Sequence, residues 1–477
     1  MNKIKYFYIF FFLFAVSFLA LPVKAQAANW YLDNAASGSN SGTSWVNAWE
    51  SFSVIAWGSV EPGDTIYISG GSSSKTYFET LTVGTSGTNS NFITITVGAN
   101  SPYPSGHSGT VIIDGERTRS SGIMINGQSY IQVNGQSGSE HKLLVQNCTG
   151  SSAGGASVTA RDAHYVYFDY IKVDNARSRG VTFHNVDHSR IRGCDIQTGV
   201  VNNSIQTDGI YIQYGNNNLV EHNTVLLAND GTSHCDCFQQ AHNESGTIIR
   251  GNWFEWVDGH GNSDSQGFIV ELVDGPMYIY NNVILGCSKQ PYQAALFKPS
   301  PGLTGGLYYV WNNIIISQAD NGIAAHFSCS DSEIAQIKNN IFYSPSGRGL
   351  YTDNEVSASK ISNNFDGQNP GWNPTNEYRL NSESPCIDAG VNLNDYFTTG
   401  RDGNARPAGA AWDIGAYEFG GTQLLQGDVN NDGDVDAQDL RLVLAAWGPL
   451  SGSEDLNADG RVNSLDAGTV IRDWAGG

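Results

Sequence analysis

Basic residues are scarce in this sequence, which has 25 Lys and Arg against 46 Asp and Glu and a net charge of −21. A nucleic-acid partner needs a basic surface to meet its phosphates, so this balance excludes nucleic acid. A polyanionic ligand meets the same repulsion and needs calcium or a local basic patch. Such a patch is present between residues 161 and 192, where six Arg and Lys stand among four Asp.

Cysteine is infrequent too, and its spacing excludes two kinds of site. No two of the seven cysteines form a C-x-x-C pair, which argues against structural zinc and against a thioredoxin-like redox site. In an exported protein some of them are expected to form disulfides, and the odd number leaves at least one unpaired within the chain. The cysteines are Cys148, Cys194, Cys235, Cys237, Cys287, Cys329 and Cys386.

Long apolar runs are absent apart from Tyr6–Leu21, which is shorter than the roughly 20 residues of a membrane-spanning helix. Lys3 and Lys5 precede this run, and the small-residue sequence Ala25-Gln26-Ala27 follows it. A basic start, an apolar core and an A-x-A site are typical of a secretory signal peptide. The sequence therefore predicts a secreted protein with residues 1–27 removed and no membrane span.

Helical periodicity is lacking in the middle of the chain, and a strand-and-turn repeat takes its place. A three-residue element recurs every 27 to 30 residues: any residue, then Gly or another small residue, then an apolar residue. A second element, an alternating apolar run that closes on Asn, follows about a dozen residues later. The first element begins at Arg179, Asp208, Asp236, Gln266, Ala294, Asn321 and Arg348, and the second ends near Asn223, Asn252, Asn282, Asn313, Asn340 and Asn364.

A unit of this size, built from short strands and turns, cannot bury its own apolar face. Stacked units do bury it, so the period predicts a solenoid of parallel coils from about Gly122 to Asn364. The repeated Asn residues are expected to form a ladder in which each side-chain amide bonds to the coil above or below. Asn also tolerates the left-handed backbone of such turns. A β-propeller, with longer blades, fits the period poorly.

The repeat resembles the right-handed parallel β-helix of pectate-lyase-like proteins. The opening "WYLDNAASGSNSGTSWVNAWESF" is similar to the entry into that fold and implies a short capping helix around Trp45–Ile55. The segment "SPCIDAG…RDGNARP…WDIGAYEF" (384–419) is similar to the closing segment of exported β-helix proteins and is expected to cover the last coil. The resemblance implies the fold and its handedness, whereas reactions differ widely among such proteins.

The C-terminal segment carries a different pattern, a duplication with a period of 27 residues. Each half begins with a loop that places oxygen-bearing residues at the spacing of a calcium loop, with Gly at the sharp turn and Asp at position 12. The sequence therefore predicts two calcium ions in this module. The predicted ligands are Asp428, Asn430, Asp432, Asp434, Asp436 and Asp439 in the first loop and Asp455, Asn457, Asp459, Arg461, Asn463 and Asp466 in the second.

The Asp at position 12 and the loop-plus-one-helix halves are similar to dockerin domains. That resemblance implies a cohesin domain or a cell-surface scaffold as partner. Loop positions 10 and 11 are Ala437-Gln438 and Ser464-Leu465 here, not the matched hydroxyl pairs of the familiar cellulosomal dockerins. Calcium binding is therefore the firmer expectation, and a simple anchoring or stabilising role stays open.

Candidate reactive groups come from aligning the repeats. The alignment places Arg179, Asp208, Asp236 and Gln266 in one column on successive coils, which are about 4.8 Å apart. Asp208 and Asp236 are then close enough to share a proton or a calcium ion. His260 and Lys298 are expected at the edges of this groove, and the segment Ala228–Cys235 is expected to form one wall.

Three functions are compatible with this column. In a polysaccharide lyase acting on a uronate, the two Asp hold calcium and Lys298, Arg179 or His260 is the base. In a glycoside hydrolase, the two Asp are acid and base with His260 assisting, and "TDG", "DC" and "GHG" loosely resemble polygalacturonase motifs. In a non-catalytic glycan-binding or cell-surface protein, each Asp only builds a turn.

The sequence thus predicts an all-β, right-handed parallel β-helix solenoid with a small helical calcium module. The predicted function is action on extracellular polysaccharide as a lyase, with a glycoside hydrolase and a non-catalytic glycan-binding or cell-surface protein as the alternatives. The predicted domains are the signal peptide (1–27), the N-terminal cap and first coils (28–118), the β-helix repeats (119–380), the closing segment (381–420), a linker (421–426) and the dockerin-like module (427–477).

Overall fold

The structure is a computed structural model. It describes residues 27–150, 155–199, 207–228, 234–242, 244–257, 266–286, 293–299, 307–319, 321–345, 347–420, 427, 429, 435, 437–448, 454–456 and 461–475.

Three parallel sheets dominate the described chain, and each coil contributes a strand to each sheet in turn. Sheet A consists of Asn29–Leu32, Thr65–Ile68, Ile93–Val97, Ile131–Asn134, Val166–Asp169, Arg190–Arg192, Leu219–Glu221, Ile248–Arg250, Met277–Tyr280, Tyr308–Trp311, Ile334–Lys338 and Ile361–Ser362. Sheet B consists of Ser74–Tyr77, Thr110–Asp114, Leu143–Gln146, Ile171–Ala176, Asp195–Thr198, Thr224–Leu227, Trp253–Trp256, Val283–Leu285, Ile314–Ile316, Ile341–Tyr343 and Phe365–Asp366. Sheet C consists of Leu81–Thr82, Ile123–Asn126, Ala156–His164, Arg179–Asp187, Ile210–Gln213, Asp236–Ala241, Gln266–Glu271, Gln293–Phe297, Ile323–Phe327 and Arg348–Thr352.

The remaining elements are short. Two antiparallel pairs join Gln136–Ser137 to Glu140–His141 and Trp372–Asn373 to Arg379–Leu380. Single 3₁₀ turns lie at Phe52–Val54, Trp57–Ser59, Gly98–Asn100 and Asp331–Glu333, and two α-helices, α1 (Ala437–Ala445) and α2 (Ser464–Ala475), follow the β-helix. No helix among the described residues is long and apolar enough to cross a membrane.

The core runs along the axis of the coils, because alternate strand residues point inward and stack on the same position of the next coil. Beneath sheet C, Phe238, Phe268, Phe297 and Phe327 stack in sequence, with ring centroids 4.9, 5.9 and 4.2 Å apart. All four rings are fully buried. This aromatic stack supports the part of sheet C whose outer face carries the polar residues described below.

The predicted asparagine ladder is confirmed. Asn252 donates from Nδ2 to Oδ1 of Asn282 at 2.9 Å, and Asn282 does the same to Asn313 at 3.0 Å. Each of these amides also accepts the backbone N–H of the preceding ladder residue, so the ladder replaces backbone pairing at the turn. The ladder continues at both ends, to Asn223 and to Asn364.

The residue before each of four ladder asparagines is also Asn, and its side chain points away from the ladder, toward the closing segment. Asn281, Asn312, Asn339 and Asn363 all have positive φ and donate to backbone carbonyls of the closing segment. Asn312 alone donates to the carbonyls of Asp413 and Gly415, at 2.9 and 3.0 Å. Each Asn-Asn doublet therefore joins one coil to the next and to the closing segment at once.

The closing segment packs along the sides of the β-helix. Ile414 and Tyr417 join an apolar cluster with Ile314 and Ile316 of sheet B. Phe397 stacks on Tyr280 of sheet A with 4.4 Å between ring centroids. The sequence predicted a cover for the last coil, whereas the structure shows a strap over the outer faces of sheets A and B.

The capping helix expected at Trp45–Ile55 is wrong. Trp49 forms an isolated parallel bridge with Leu32, which requires extended backbone, and its buried ring stacks on Trp30 at 5.1 Å. Only the 3₁₀ turn Phe52–Val54 lies in that span. Pairing of Trp49 with the first strand therefore wins over the local helical pattern.

The alignment of repeats is correct at some coils and shifted at others. Strand register places Gln293, not Ala294, opposite Gln266, and Ile323, not Asn321, opposite Gln293. Coil lengths vary by a residue or two, and a shift of one residue moves a side chain to the other face of the strand.

No disulfide joins any two of the six described cysteines, which are all buried, contrary to the expected disulfides, and Cys287 lies outside the described residues. Burial raises the pKa of Cys194 to about 12, which makes this thiol unreactive at neutral pH.

Candidate active site

Four polar residues occupy equivalent positions on neighbouring strands of sheet C. Asp236 pairs with Gln266 in the strand register, and extending the neighbouring registers by two residues aligns Asp208 with Asp236 and Arg179 with Asp208. Both carboxylates are fully buried. The structure thus brings three of the predicted site residues, Arg179, Asp208 and Asp236, into one group.

Arg179 neutralises Asp208. Its Nε lies 3.0 Å from Oδ2 of Asp208, and both side chains are shielded from solvent. The guanidinium carbon also lies 3.8 Å from the centre of the Tyr211 ring, a cation–π contact. Arg179 is therefore held between a carboxylate and an aromatic ring.

Asp236 is held from one side only. Its Oδ1 accepts the backbone N–H of Gln266 at 2.7 Å, and its own N–H donates to Oδ1 of Asp208 at 3.3 Å. Its Oδ2 is buried and accepts no hydrogen bond from the described residues. Nδ1 of His234 lies 3.2 Å from that oxygen, so a proton on His234 forms an ion pair there.

The pKa of both carboxyl groups is raised above the ordinary value. Burial raises the pKa of Asp208, and the positive charge of Arg179 opposes that rise. Burial raises the pKa of Asp236 well above its usual range, and the negative charge of Asp208 adds to the effect. Two carboxylates in this position titrate together, and a shared proton or a bound cation relieves their repulsion.

A cation fits this group. One ligand atom each of Asp208, His234 and Asp236 lies within 4.8 Å of the others. The orphaned Oδ2 of Asp236 is the kind of atom that a cation satisfies, and carboxylate oxygens are the ligands that calcium prefers. The imidazole of His234 is a softer ligand than calcium usually takes, so the two carboxylates carry the fit.

Lys298 lies on the outer face of the same sheet and takes part in a chain of contacts. Its Nζ is 2.9 Å from Oε2 of Glu271, and Oε1 of Glu271 accepts a hydrogen bond from Gln239 Nε2 at 3.0 Å. Lys298 keeps 39% of its side chain exposed. The negative charge of Glu271 raises the pKa of Asp236, and the positive charge of Lys298 lowers it.

Two predicted features of the groove lie outside the described residues. They are His260 and most of the expected wall, residues 229–233. Sequence reasoning missed Tyr211 and Glu271. The alternation in "GFIVE" held the signal for Glu271, because Phe268 and Val270 point inward and Ile269 and Glu271 therefore point outward.

The C-terminal module shows part of its predicted calcium loops. Asp439 and Asp466 are fully buried in the first turns of α1 and α2. Asp439 Oδ1 accepts the N–H of Val429 at 2.8 Å, and Asp466 Oδ2 accepts that of Asn463 at 2.7 Å. Two buried carboxylates at equivalent positions fit calcium, whose charge offsets their burial.

The other predicted ligands of this module divide into two groups. Asp455, Arg461 and Asn463 are described, and the Arg461 side chain donates to Asn91 Oδ1 at 2.8 Å. Position 7 of a calcium loop contributes its backbone carbonyl, so this side chain is not needed as a ligand. Those outside the described residues are Asp428, Asn430, Asp432, Asp434, Asp436, Asn457 and Asp459.

Comparison with known proteins assigns both parts of the chain. Residues 426–473 match the family model of the Dockerin type I domain. The chain is similar to the crystal structure of pectate lyase Pel9A, with a TM-score of 0.53 and 16% identity over 83% of this chain and 97% of that one. It also matches a rhamnogalacturonan lyase, with a TM-score of 0.42 and 15% identity over 85% of this chain and 99% of that one. No curated protein sequence matches the chain.

The molecule is therefore a right-handed parallel β-helix protein of the pectate lyase fold, and it ends in a dockerin type I domain. Dockerin domains in general bind calcium and cohesin domains, and dockerin-bearing enzymes are typically extracellular or assembled at the cell surface. At 16% identity the β-helix likeness shows the fold alone.

Proposed function

We propose that this protein is a secreted polysaccharide lyase that cleaves a uronate-containing polysaccharide by β-elimination. The observation that carries the proposal is the buried pair Asp208 and Asp236, with Arg179 paired to Asp208 and the positive charge of Lys298 acting on the pKa of Asp236. A buried carboxylate pair with raised pKa beside cationic groups is costly to fold, and such arrangements concentrate at active sites.

In β-elimination a base removes the proton beside the uronate carboxylate. The glycosidic C–O bond on the next carbon breaks, a C=C bond forms, and the leaving oxygen takes up a proton. The base must be able to lose and regain its own proton, which excludes the guanidinium of Arg179. Of the predicted bases that are described, this leaves Lys298, which Glu271 holds in place.

The remaining groups hold the substrate's charge. The positive charge of Arg179 opposes the rise in the pKa of Asp208 and lies directly beside its carboxylate. Asp208 and Asp236 are the groups that would hold a calcium ion, which supplies the positive charge needed to neutralise the uronate carboxylate. Glu271 and Gln239 fix the geometry between three successive coils.

A glycoside hydrolase is the second candidate, and one observation favours it. The pKa of Asp236 lies well above its usual range because of burial and of the charge of Asp208, and a carboxyl with a raised pKa is suited to act as a general acid. Asp208, with the Arg179 guanidinium beside it, would then be the base.

The export and anchoring of the enzyme belong to the same proposal. Residues 1–27 direct the chain out of the cell and are removed, and the dockerin domain attaches the mature protein to a cohesin on a scaffold or on the cell surface. Attachment holds the β-helix near its insoluble substrate and raises the local concentration of enzyme there.

The test is incubation of the mature protein with polygalacturonate, alginate, rhamnogalacturonan and neutral xylan, each with calcium and with chelator. Unsaturated, ultraviolet-absorbing products from a polyuronate that disappear with chelator support the lyase. Reducing ends without that absorbance support the hydrolase. Binding of a glycan without any product makes the chain a non-catalytic glycan-binding protein.

A further inference from the structure

A column of residues on the outer side of sheet C runs from Tyr211, three residues after Asp208, to the last strand. Strand register aligns Tyr211 with Gln239, then Ile269, Leu296, His326 and Tyr351. It covers five coil steps, or about 24 Å at about 4.8 Å each. Tyr211, Gln239, Ile269 and Leu296 are buried, and the column becomes partly exposed at His326 and Tyr351.

Each end of the column carries an arginine over a tyrosine ring. Arg179 lies 3.8 Å from the centre of the Tyr211 ring, and Arg348 lies 4.7 Å from that of Tyr351. The first arginine is committed to the buried Asp208. The second is exposed and forms no ion pair with any carboxylate among the described residues.

The surroundings of Arg348 leave its guanidinium available. The nearby acidic residue Asp353 is paired with His326, whose Nε2 lies 3.0 Å from Oδ1 of Asp353. The other ring nitrogen of His326 lies 3.3 Å from Gln293 Nε2, and the His326 ring packs on Tyr351 at 4.9 Å. Tyr351 is therefore held in place by His326. The guanidinium of Arg348 lies on its ring, and the guanidinium N–H groups remain available to a ligand.

A guanidinium laid on an aromatic ring is well suited to bind a planar carboxylate with two parallel hydrogen bonds. The protein has a net charge of −21, so an exposed arginine without a carboxylate partner is a local site that favours an anionic ligand. A polyuronate repeats one carboxylate per sugar along its length, so it meets such a cation several residues from the cleavage point.

We propose that Arg348 and Tyr351 form a distal subsite that binds a uronate carboxylate of the substrate chain. The inference rests on the proposed function for the identity of the polysaccharide, and it places the subsite at the exposed end of the column.

The test is affinity electrophoresis of the full chain in gels containing polygalacturonate, methyl-esterified pectin or xylan. Arg348→Gln is compared with Lys172→Gln, which removes an exposed cation from the outer face of sheet B. Arg348→Gln is expected to weaken binding of polygalacturonate about tenfold, the usual loss for one charge-assisted pair. Binding of the esterified and neutral polymers, and the behaviour of Lys172→Gln, should not change.

Equal affinities of the two variants for polygalacturonate would overturn the subsite. So would an equal loss of xylan binding by Arg348→Gln, because a stacking surface rather than a carboxylate site would then explain the contact. Thermal unfolding of both variants checks that the fold is intact. Binding does not require turnover, so a protein that binds through Arg348 and cleaves nothing refutes the proposed function while the subsite stands.

Discussion

At the scale of single residues, Asp236 and Glu244 form an instructive pair. Both are fully buried acids whose pKa lies well above its usual range, chiefly because of burial. Asp236 has a second carboxylate and cationic groups around it on sheet C. Glu244 lies outside the strands, and its Oε2 is 3.4 Å from the Thr247 hydroxyl. The first environment resembles a reactive site, and the second resembles a turn.

Asp236→Asn is expected to abolish turnover while keeping the fold. Asn retains an oxygen for the Gln266 N–H and cannot ionise, so no charge remains to bind a cation or move a proton. Initial rates on the substrate identified in the polysaccharide panel, with circular dichroism as the check of folding, measure this. Full activity in the variant would leave Asp236 as a residue of the turn only.

Glu244→Gln is the matched variant and is expected to leave activity unchanged. The pKa of Glu244 is raised in the folded state, so the folded form is favoured at low pH and loses stability as pH rises through that value. The variant should therefore equal the parent in acid and exceed it by about 1–3 kcal/mol in unfolding free energy at alkaline pH. Denaturant unfolding at several pH values tests this, and a gap that is constant with pH would contradict it.

At the scale of elements, the Asn-Asn doublets show how one short motif performs two tasks. The second Asn of each doublet faces inward and continues the ladder, as Asn313 does between Asn282 and Asn340. The first Asn has positive φ and holds the closing segment, as Asn312 does. Because the two neighbours point in opposite directions, their substitutions should have different consequences.

Asn313→Ala is expected to lower the unfolding free energy of the β-helix by about 3 kcal/mol, because it strands buried partners such as the Asn282 N–H and the Ile279 carbonyl. Asn312→Gly suits the left-handed backbone and should instead release the closing segment. Limited proteolysis near Asp413 distinguishes the two. Equal protection of that segment in both variants would contradict the division of roles.

The ladder was predictable from the sequence because Asn recurs at the same turn of each coil. Stacking the coils then places each Asn next to the Asn of the next coil, which is its hydrogen-bond partner. The roles within each doublet were not predictable, since two identical residues differ only in backbone conformation. The column of Asp208 and Asp236 was predictable as well, because aligning the strand starts of successive repeats places the two residues at the same position. Glu271 escaped it because it stands at the far end of its strand, and the Trp49 bridge escaped because its partner, Leu32, is distant in sequence.

At the scale of the whole molecule, two parts with different sources of stability share one chain. The β-helix is held by stacked apolar residues and amide ladders that need no ion. The dockerin domain has a small apolar cluster that includes Val443, Val462 and Val470. It also buries Asp439 and Asp466. A small core that includes buried carboxylates depends on cations to offset their charge.

Calcium removal is expected to unfold the dockerin domain and leave the β-helix intact. Chelation of the full chain should abolish the helical contribution of α1 and α2 to circular dichroism, and an Asp439→Ala, Asp466→Ala double variant should lack it even with calcium present. Retention of that helical signal in chelator would contradict a calcium-dependent domain.

The central claim is that the Asp208 and Asp236 pair on sheet C serves β-elimination on a polyuronate. Mass spectrometry of the products formed in heavy-oxygen water tests this most directly, because hydrolysis adds an oxygen from water to the product and elimination adds none. The account predicts unsaturated oligouronides that contain no heavy oxygen, and no product from Asp236→Asn. Saturated products that carry heavy oxygen, or unsaturated products from Asp236→Asn at the parent's rate, would contradict it.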